Sequence, residues 1–265
     1  ESGSDFTGDG TSDNPFYTIQ KGINHSKDGD TVSVAVGTYI ENIDFTGKNV
    51  SIIGANRNTT IIDGDSSGTV VLINSGEDST AIFTGFTIRN GINTRGGGMQ
   101  IREESNPVIK NVIVTDNRSH VDGGGIYVNN AKATISNTII KGNNSDGVAG
   151  GFYAGEGAKV TISNSQITNN VSAVRGGGIF IRKHTTSINV KHTLISHNLS
   201  YEGGGIGSWY GSSNLENITF IGNTTSTNRG NAIFLRQSAE MVLTNSIVMG
   251  NDSNVIYLED PESSL

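Results

Sequence analysis

The stretch FIRKHTTSINVKHTLISHN, residues 180–198, gathers Arg182, Lys183, His184, Lys191, His192 and His197, with Tyr201, Trp209 and Tyr210 close behind. It is the chemically richest patch of the chain. A polysaccharide lyase needs a cation to neutralise a uronate carboxylate and a base to take the neighbouring proton. Arg175, Arg182, Lys183 and Arg229 are candidates for the charge, and Tyr127, Tyr153 or His120 for the base or acid. Glycoside hydrolysis instead needs two carboxylates about 5 to 9 Å apart. Asp122 and Glu202 stand three repeat units apart, about 14 Å at the strand spacing of a sheet, which is too far. Asp5, Asp9 and Asp13 are four apart in the Gly-rich DFTGDGTSD. A calcium loop there lacks its closing Glu, so a capped turn is the simpler expectation and calcium the weaker one. With no cysteine and no HxxxH helix, zinc is not expected. No catalytic set is complete, and no resident cofactor is expected.

These residues are positioned by a repeat. Glycine clusters start at 96, 123, 149, 176, 203 and 230, at intervals of 27, 26, 27, 27 and 27. A second landmark keeps step: NVIVTDN, NTIIKGN, NSQITNN, HTLISHN, NITFIGN and NSIVMGN. Asn117, Asn143, Asn170, Asn198, Asn223 and Asn251 form one column. Asn111, Asn137, Asn164, Asn217 and Asn245 form another, with His192 in the missing slot. Each unit holds short apolar–polar alternations and no room for a helix, so it reads as half-buried strands. Such a unit cannot bury its inner face alone; stacking identical coils solves that, each strand pairing in parallel with its copy. A buried Asn column can then bond amide to amide along the stack. His192 is expected to be a buried hydrogen-bonding substitute, and His184 and His197 to be solvated on turns.

The register follows from GGGIYVNN (123–130), where Ile126 and Val128 should point inward and Tyr127 and Asn129 outward. Stacked, this gives an outward column of Gln100, Tyr127, Tyr153, Phe180, Gly207, Phe234 and Tyr257. Beside it run Arg102, Asn129, Gly155, Arg182, Trp209 and Arg236. Ahead of the glycines stands a charge ladder of Arg95, Asp122, Val148, Arg175, Glu202 and Arg229. One glycine per unit is explained by a corner at positive φ; three in a row are not. The strip is therefore read either as a corner with packed aromatics or as an exposed groove. In the groove, Tyr127, Tyr153, Phe180, Arg182, Trp209, Tyr210, Phe234 and Arg236 would meet a sugar chain.

The GG[I/F/M] and [I/F/V]xxN pairs resemble those of the right-handed parallel β-helix superfamily, the architecture of pectate lyases. The units look especially like the repeats of polymorphic outer-membrane and adhesin-like proteins. GDGTSDNPFYTIQKGINHSKDGDTVSVAVGTYIENI and KNVSIIGANRNTTIIDGD resemble the start of secreted β-helix proteins. The resemblance implies an all-β, single-stranded right-handed β-solenoid of nine or ten coils. It leaves the activity open, because the superfamily holds lyases, hydrolases, epimerases and non-enzymes. One domain is expected over 1–265, with a cap at 1–30, coils over 31–258 and a tail at 259–265. The cap reads as a short helix with Asn14 as N-cap, Pro15 in its first turn, and Phe16, Ile19 and Ile23 on one face.

Composition narrows the partners. The net charge is −7 with no basic block, so nucleic acid is excluded. No apolar run is long enough to insert in a membrane. The polar opening ESGSD shows no leader, as a processed chain would. IYLEDPESSL offers no second cap helix, so more chain or a partner is expected over the last coil. The functional expectation is a secreted or cell-surface protein presenting a wall that binds a polysaccharide or cell-surface glycan, or adheres. A lyase on an acidic glycan and a purely structural spacer are the alternatives.

Overall fold

The structure is a computed structural model that describes residues 3–250 and 254–265. Strands of two to five residues stack into three nine-stranded parallel sheets and one of six strands. One coil shows the plan. Lys132–Ser136 lies in the first sheet, Ile139–Lys141 in the second, Asn144–Ser145 in the six-stranded sheet and Phe152–Gly155 in the last. Lys159–Ser163 then starts the next coil. Each coil gives one strand to each nine-stranded sheet, so nine coils stack through eight steps, within the nine or ten expected.

The expected register holds. Tyr127 pairs with Gln100 and Tyr153, Tyr153 with Phe180, Phe180 with Gly207, Gly207 with Phe234, and Phe234 with Tyr257. Ile126, Val128, Phe152, Ala154, Ile179 and Ile181 fill the lumen without solvent exposure. Along the second corner runs the Asn ladder. The Nδ2 of Asn117, Asn143, Asn170 and Asn198 each donates to the Oδ1 of the next asparagine at 3.0 Å, ending on Asn223. The same Oδ1 atoms accept the backbone N–H of the residue below, and the second Nδ2 proton goes to a carbonyl such as Val114 or Ile140. An amide has two donors and two acceptor sites, and here all four are used inside the wall. Asn251 lies outside the described residues.

The glycine triads are explained by this corner, all three positions at once. In 123–125, Gly123 sits at φ +66, where a side chain would be strained, and turns the chain. A Cβ on Gly124 would run into the carbonyl of Asn144 on the six-stranded sheet. A Cβ on Gly125 would lie 2.6 Å from the Gly151 oxygen and 3.0 Å from the Asn143 amide nitrogen. So the first glycine bends, the second admits the opposite strand and the third admits the ladder.

Two expectations need correction. The other asparagine column is not buried: Asn111, Asn137, Asn164, His192, Asn217 and Asn245 occupy a turn at φ 48 to 57. His192 is exposed there, with its Nε2 3.0 Å from the Asn217 amide. The slot selects residues that tolerate the left-handed region. The cap helix is Ile19–His25, and its N-cap is Thr18, not Asn14. Glu41 receives the Ile19 and Gln20 N–H groups and Asp5 those of Tyr17 and Thr18, so carboxylates complete the cap. Ile19 and Ile23 are buried, while Phe16 packs edge-on to His25.

The two asparagine columns should separate in stability. Asn170→Ala strands several buried partners, at about 1–3 kcal/mol each, and is expected to cost about 3 kcal/mol or more. Asn164→Ala loses only tolerance of a left-handed turn, about 1 kcal/mol. Urea unfolding of the two variants measures the difference; equal costs would contradict the ladder.

Candidate functional site: a cationic cleft

The outward aromatic column is not a wall open to solvent. Tyr127, Tyr153 and Phe180 are only 6 %, 3 % and 1 % exposed, and Phe234 is fully buried. The corner at Gly123 and Gly176 folds the chain ahead of it over the outer face of the sheet. Tyr127, Ala149, Tyr153 and Phe180 thus make a second small core outside the lumen, with Val148 and Trp209 against it. Tyr127 and Tyr153 stack at 4.8 Å and 8°, and Phe234 stacks on Tyr257 at 5.8 Å. Phe180 and Phe234 therefore offer a ligand nothing.

Trp209 is likewise not a free sugar platform. The guanidiniums of Arg175, Arg236 and Arg182 stand 4.3, 5.0 and 5.9 Å from its ring centre, and Phe180 meets it edge-on. Arg175 is tied to Glu202 at 2.7 Å, and Arg229 reaches the same carboxylate at 3.2 Å. Arg236 is tied to Glu259 at 2.7 Å. Asp122 is held by Arg95 at 3.0 Å. Asp122 and Glu202 are three strands apart in one column, as read from the sequence. Tyr210 lies on the turn beyond, against His184 at 4.3 Å. His120 stands on the six-stranded sheet beside Asp146, away from these groups. The aspartates at the N-terminus do not converge. Asp5 serves the helix cap and Asp9 the Thr11 turn, and Asp13 meets Ser12. Among the described residues no three acidic or imidazole groups gather as a cation site.

What remains open is a cleft of about 330 Å³. Arg95, Arg102, Arg182 and Lys183 line it with Asn129 and a single carboxylate, Glu156, and Tyr127 and Tyr153 form its floor. It opens where the outward column reads Asn129, Gly155, Arg182. Gly155 has no side chain, and a Cβ there would meet the Tyr153 hydroxyl at 2.5 Å. The Arg182 charge partly offsets the effect of burial on the Tyr153 phenol. Among the described residues Arg182 is the cleft cation with no carboxylate in ion-pair reach; Arg102 has Glu103 at 3.2 Å and Lys183 has Glu156 at 3.5 Å. The sequence reading thus named Tyr127, Tyr153, Arg182 and Lys183. It placed Arg95, Arg102 and Asn129 in the bordering columns without a contact role and passed over Glu156, for which the gap at Gly155 in the outward column was the available signal.

The family model described as a right-handed β-helix region matches residues 13–216 and 151–265. The chain belongs to this family. No curated protein matches the chain in sequence. Among solved structures, this right-handed β-helix is similar to a pectin methylesterase from carrot, with 12% identity and a TM-score of 0.47 over 95% of this chain and 86% of that one. A pectin methylesterase mutant in complex with a hexasaccharide gives 11% and 0.38, over 98% of this chain and 80% of that one. A rice weevil pectin methylesterase gives 10% and 0.31, over 96% and 88%.

Burial pushes the phenol pKa of both floor tyrosines upward. For Tyr127 the nearby Arg95 partly offsets this; for Tyr153 the Asp122 and Tyr127 charges add to it. A phenol whose pKa is higher folded than unfolded stabilises the fold below the unfolded value near 10. That contribution is lost as pH rises towards the folded value. Tyrosinate absorbance should therefore show Tyr127 and Tyr153 ionising only together with loss of near-ultraviolet circular dichroism. Tyr127→Phe and Tyr153→Phe should each flatten the alkaline fall in stability. Early, reversible ionisation of either ring in folded protein would contradict its burial.

Proposed function

We propose that this β-helix protein binds an acidic polysaccharide, and that the cationic cleft is its contact site. The observation that carries the reading is electrostatic. A chain of net charge −7 collects Arg95, Arg102, Arg182 and Lys183 about one cleft with one carboxylate. Low-dielectric walls under a concave cluster of one sign concentrate its field on oppositely charged ligands. Guanidinium forks suit carboxylates by paired hydrogen bonds, and Asn129 can serve hydroxyls. Lining groups of this kind select a charged, hydroxyl-rich chain and offer little to an apolar one.

The aromatic residues support the site from beneath rather than stack on sugar. This moves the expected polysaccharide wall from a glycine and aromatic strip to a charged cleft. A binding role is favoured over a lyase because both phenols nearest the cations are held protonated by burial. The reading fits a secreted or cell-surface protein, where such glycans are met.

The test is affinity electrophoresis and calorimetry with polygalacturonate and with neutral dextran. Wild type should retain polygalacturonate and ignore dextran, and the retention should fade as salt screens the exposed charges. The double substitution Arg182→Ala with Lys183→Ala should weaken binding at least about tenfold, the loss of about one charge-assisted hydrogen bond. Equal binding of dextran, or an unaffected double variant, would overturn the assignment. Accumulation of unsaturated product in the same mixtures would make the protein a lyase.

A further inference from the structure

Glu156 is the one acidic side chain lining the cleft, and it faces cations. Its turn is built from two glycines around it, Gly155 and Gly157, and its backbone is left-handed at φ 44. The same turn position is left-handed in the neighbouring coils, at Glu103, Asn130, Lys183, Tyr210 and Gln237. Side chains at this position therefore leave the backbone in one direction, one coil above the next. Glu156 and Lys183 become vertical neighbours, with Oε1 3.5 Å from Nζ. Neither is buried: the two side chains are 58 % and 50 % exposed, so nothing but their mutual charge holds them.

Glu216 makes a comparable exposed pair with Lys191, at 2.8 Å, outside the lining. The difference is location. The Glu156 carboxylate lies where an incoming carboxylate would have to sit to reach Lys183, and it also lowers the positive potential felt by a ligand at Arg182. We propose that Glu156 is a built-in counter-anion of the cleft, a specificity residue that a ligand's own carboxylate displaces from Lys183. The inference rests on the acidic-polysaccharide reading. It adds that the cleft is held below its full affinity and admits chains with several carboxylates, which can replace Glu156 and engage Arg182 together. A sugar with one anionic group gains only one of these contacts.

The test compares wild type, Glu156→Gln and Glu216→Gln, titrated with polygalacturonate oligomers and with monomeric galacturonate at low and high salt. An exposed ion pair is worth up to about 1 kcal/mol. Glu156→Gln should therefore tighten oligomer binding about two- to fivefold, and high salt should shrink the gain. It should also narrow the preference for oligomer over monomer. Glu216→Gln, which removes the same charge from an ion pair outside the cleft, should change affinity less than twofold. Thermal melting of each variant checks that the fold is intact, which the exposure of both side chains leads one to expect. If wild type binds and Glu156→Gln binds equally or more weakly, Glu156 is a ligand contact or a bystander and the counter-anion role is overturned alone. Equal tightening by Glu216→Gln would reduce it to long-range charge. If neither wild type nor Glu156→Gln binds any oligomer, the acidic-polysaccharide reading falls and this inference with it.

Discussion

Everything in this molecule depends on one close approach: the Asn amide of each coil against the third glycine of the preceding coil's corner. The ladder needs room for a planar amide inside the wall, and only a residue without Cβ leaves it. A Cβ on Gly125, Gly151 or Gly178 would lie 3.0 Å from the amide nitrogen of Asn143, Asn170 or Asn198 respectively. Each amide is saturated by its neighbours above and below. A coil displaced by one residue would bury unsatisfied donors and collide with the glycine carbonyls. The register is therefore specified at the corner, and the strands on either side inherit it.

That corner has consequences on the outside of the wall. Because the first glycine turns sharply at positive φ, the ladder of Arg95, Asp122, Val148, Arg175 and Glu202 lies over the outer face of the last sheet. It covers the aromatic column beneath. The protein thus has two hydrophobic interiors, the lumen and a thin layer of Tyr127, Tyr153 and Phe180 under charged side chains. Ion pairs at this depth add little net stability, since desolvation offsets their attraction. Their structural effect is to aim the guanidiniums. Glu202, only 4 % exposed, draws Arg175 onto Trp209 and anchors Arg229 from the other side.

How much of this could be read from the chain follows from what repeats. The 27-residue interval and the twin landmarks determine the vertical pairing, and the residue-by-residue columns from Gln100 to Tyr257 stand as the alternation implied. Alternation tells lumen from exterior, however, and says nothing of what covers the exterior. That is why a packed column and an open groove were both compatible with Tyr127, Phe180 and Phe234, which lie buried. His192 shows the same limit: sharing a column with asparagines marks a slot, but a left-handed turn and an internal ladder both favour Asn, for different reasons. The helix start was displaced from Asn14 to Thr18 because Asp5 and Glu41, distant in sequence from one another, complete the cap. The cleft was legible only in part. Arg182 and Lys183 were visible as a charged pair, whereas Arg102 and Glu156 acquire meaning from the gap at Gly155 between coils.

That gap explains why the cationic cleft lies at one level of a repeating wall. The column reads Arg102, Asn129, Gly155, Arg182, Trp209, Arg236, and bulk returns on both sides of Gly155. Towards the C-terminus Trp209 draws Arg175 and Arg236 onto itself, and Glu202 and Glu259 neutralise them. Towards the N-terminus Arg102 and Arg95 keep partners at Glu103 and Asp122. Over Gly155 and the two stacked tyrosines the surface is low, cationic and incompletely paired among the described residues. Repetition supplies the scaffold, and a break in the repeat, a glycine where its neighbours carry long side chains, opens the cleft. Because Gly155 is itself required by the Tyr153 ring, the hollow and its floor come from one packing relation.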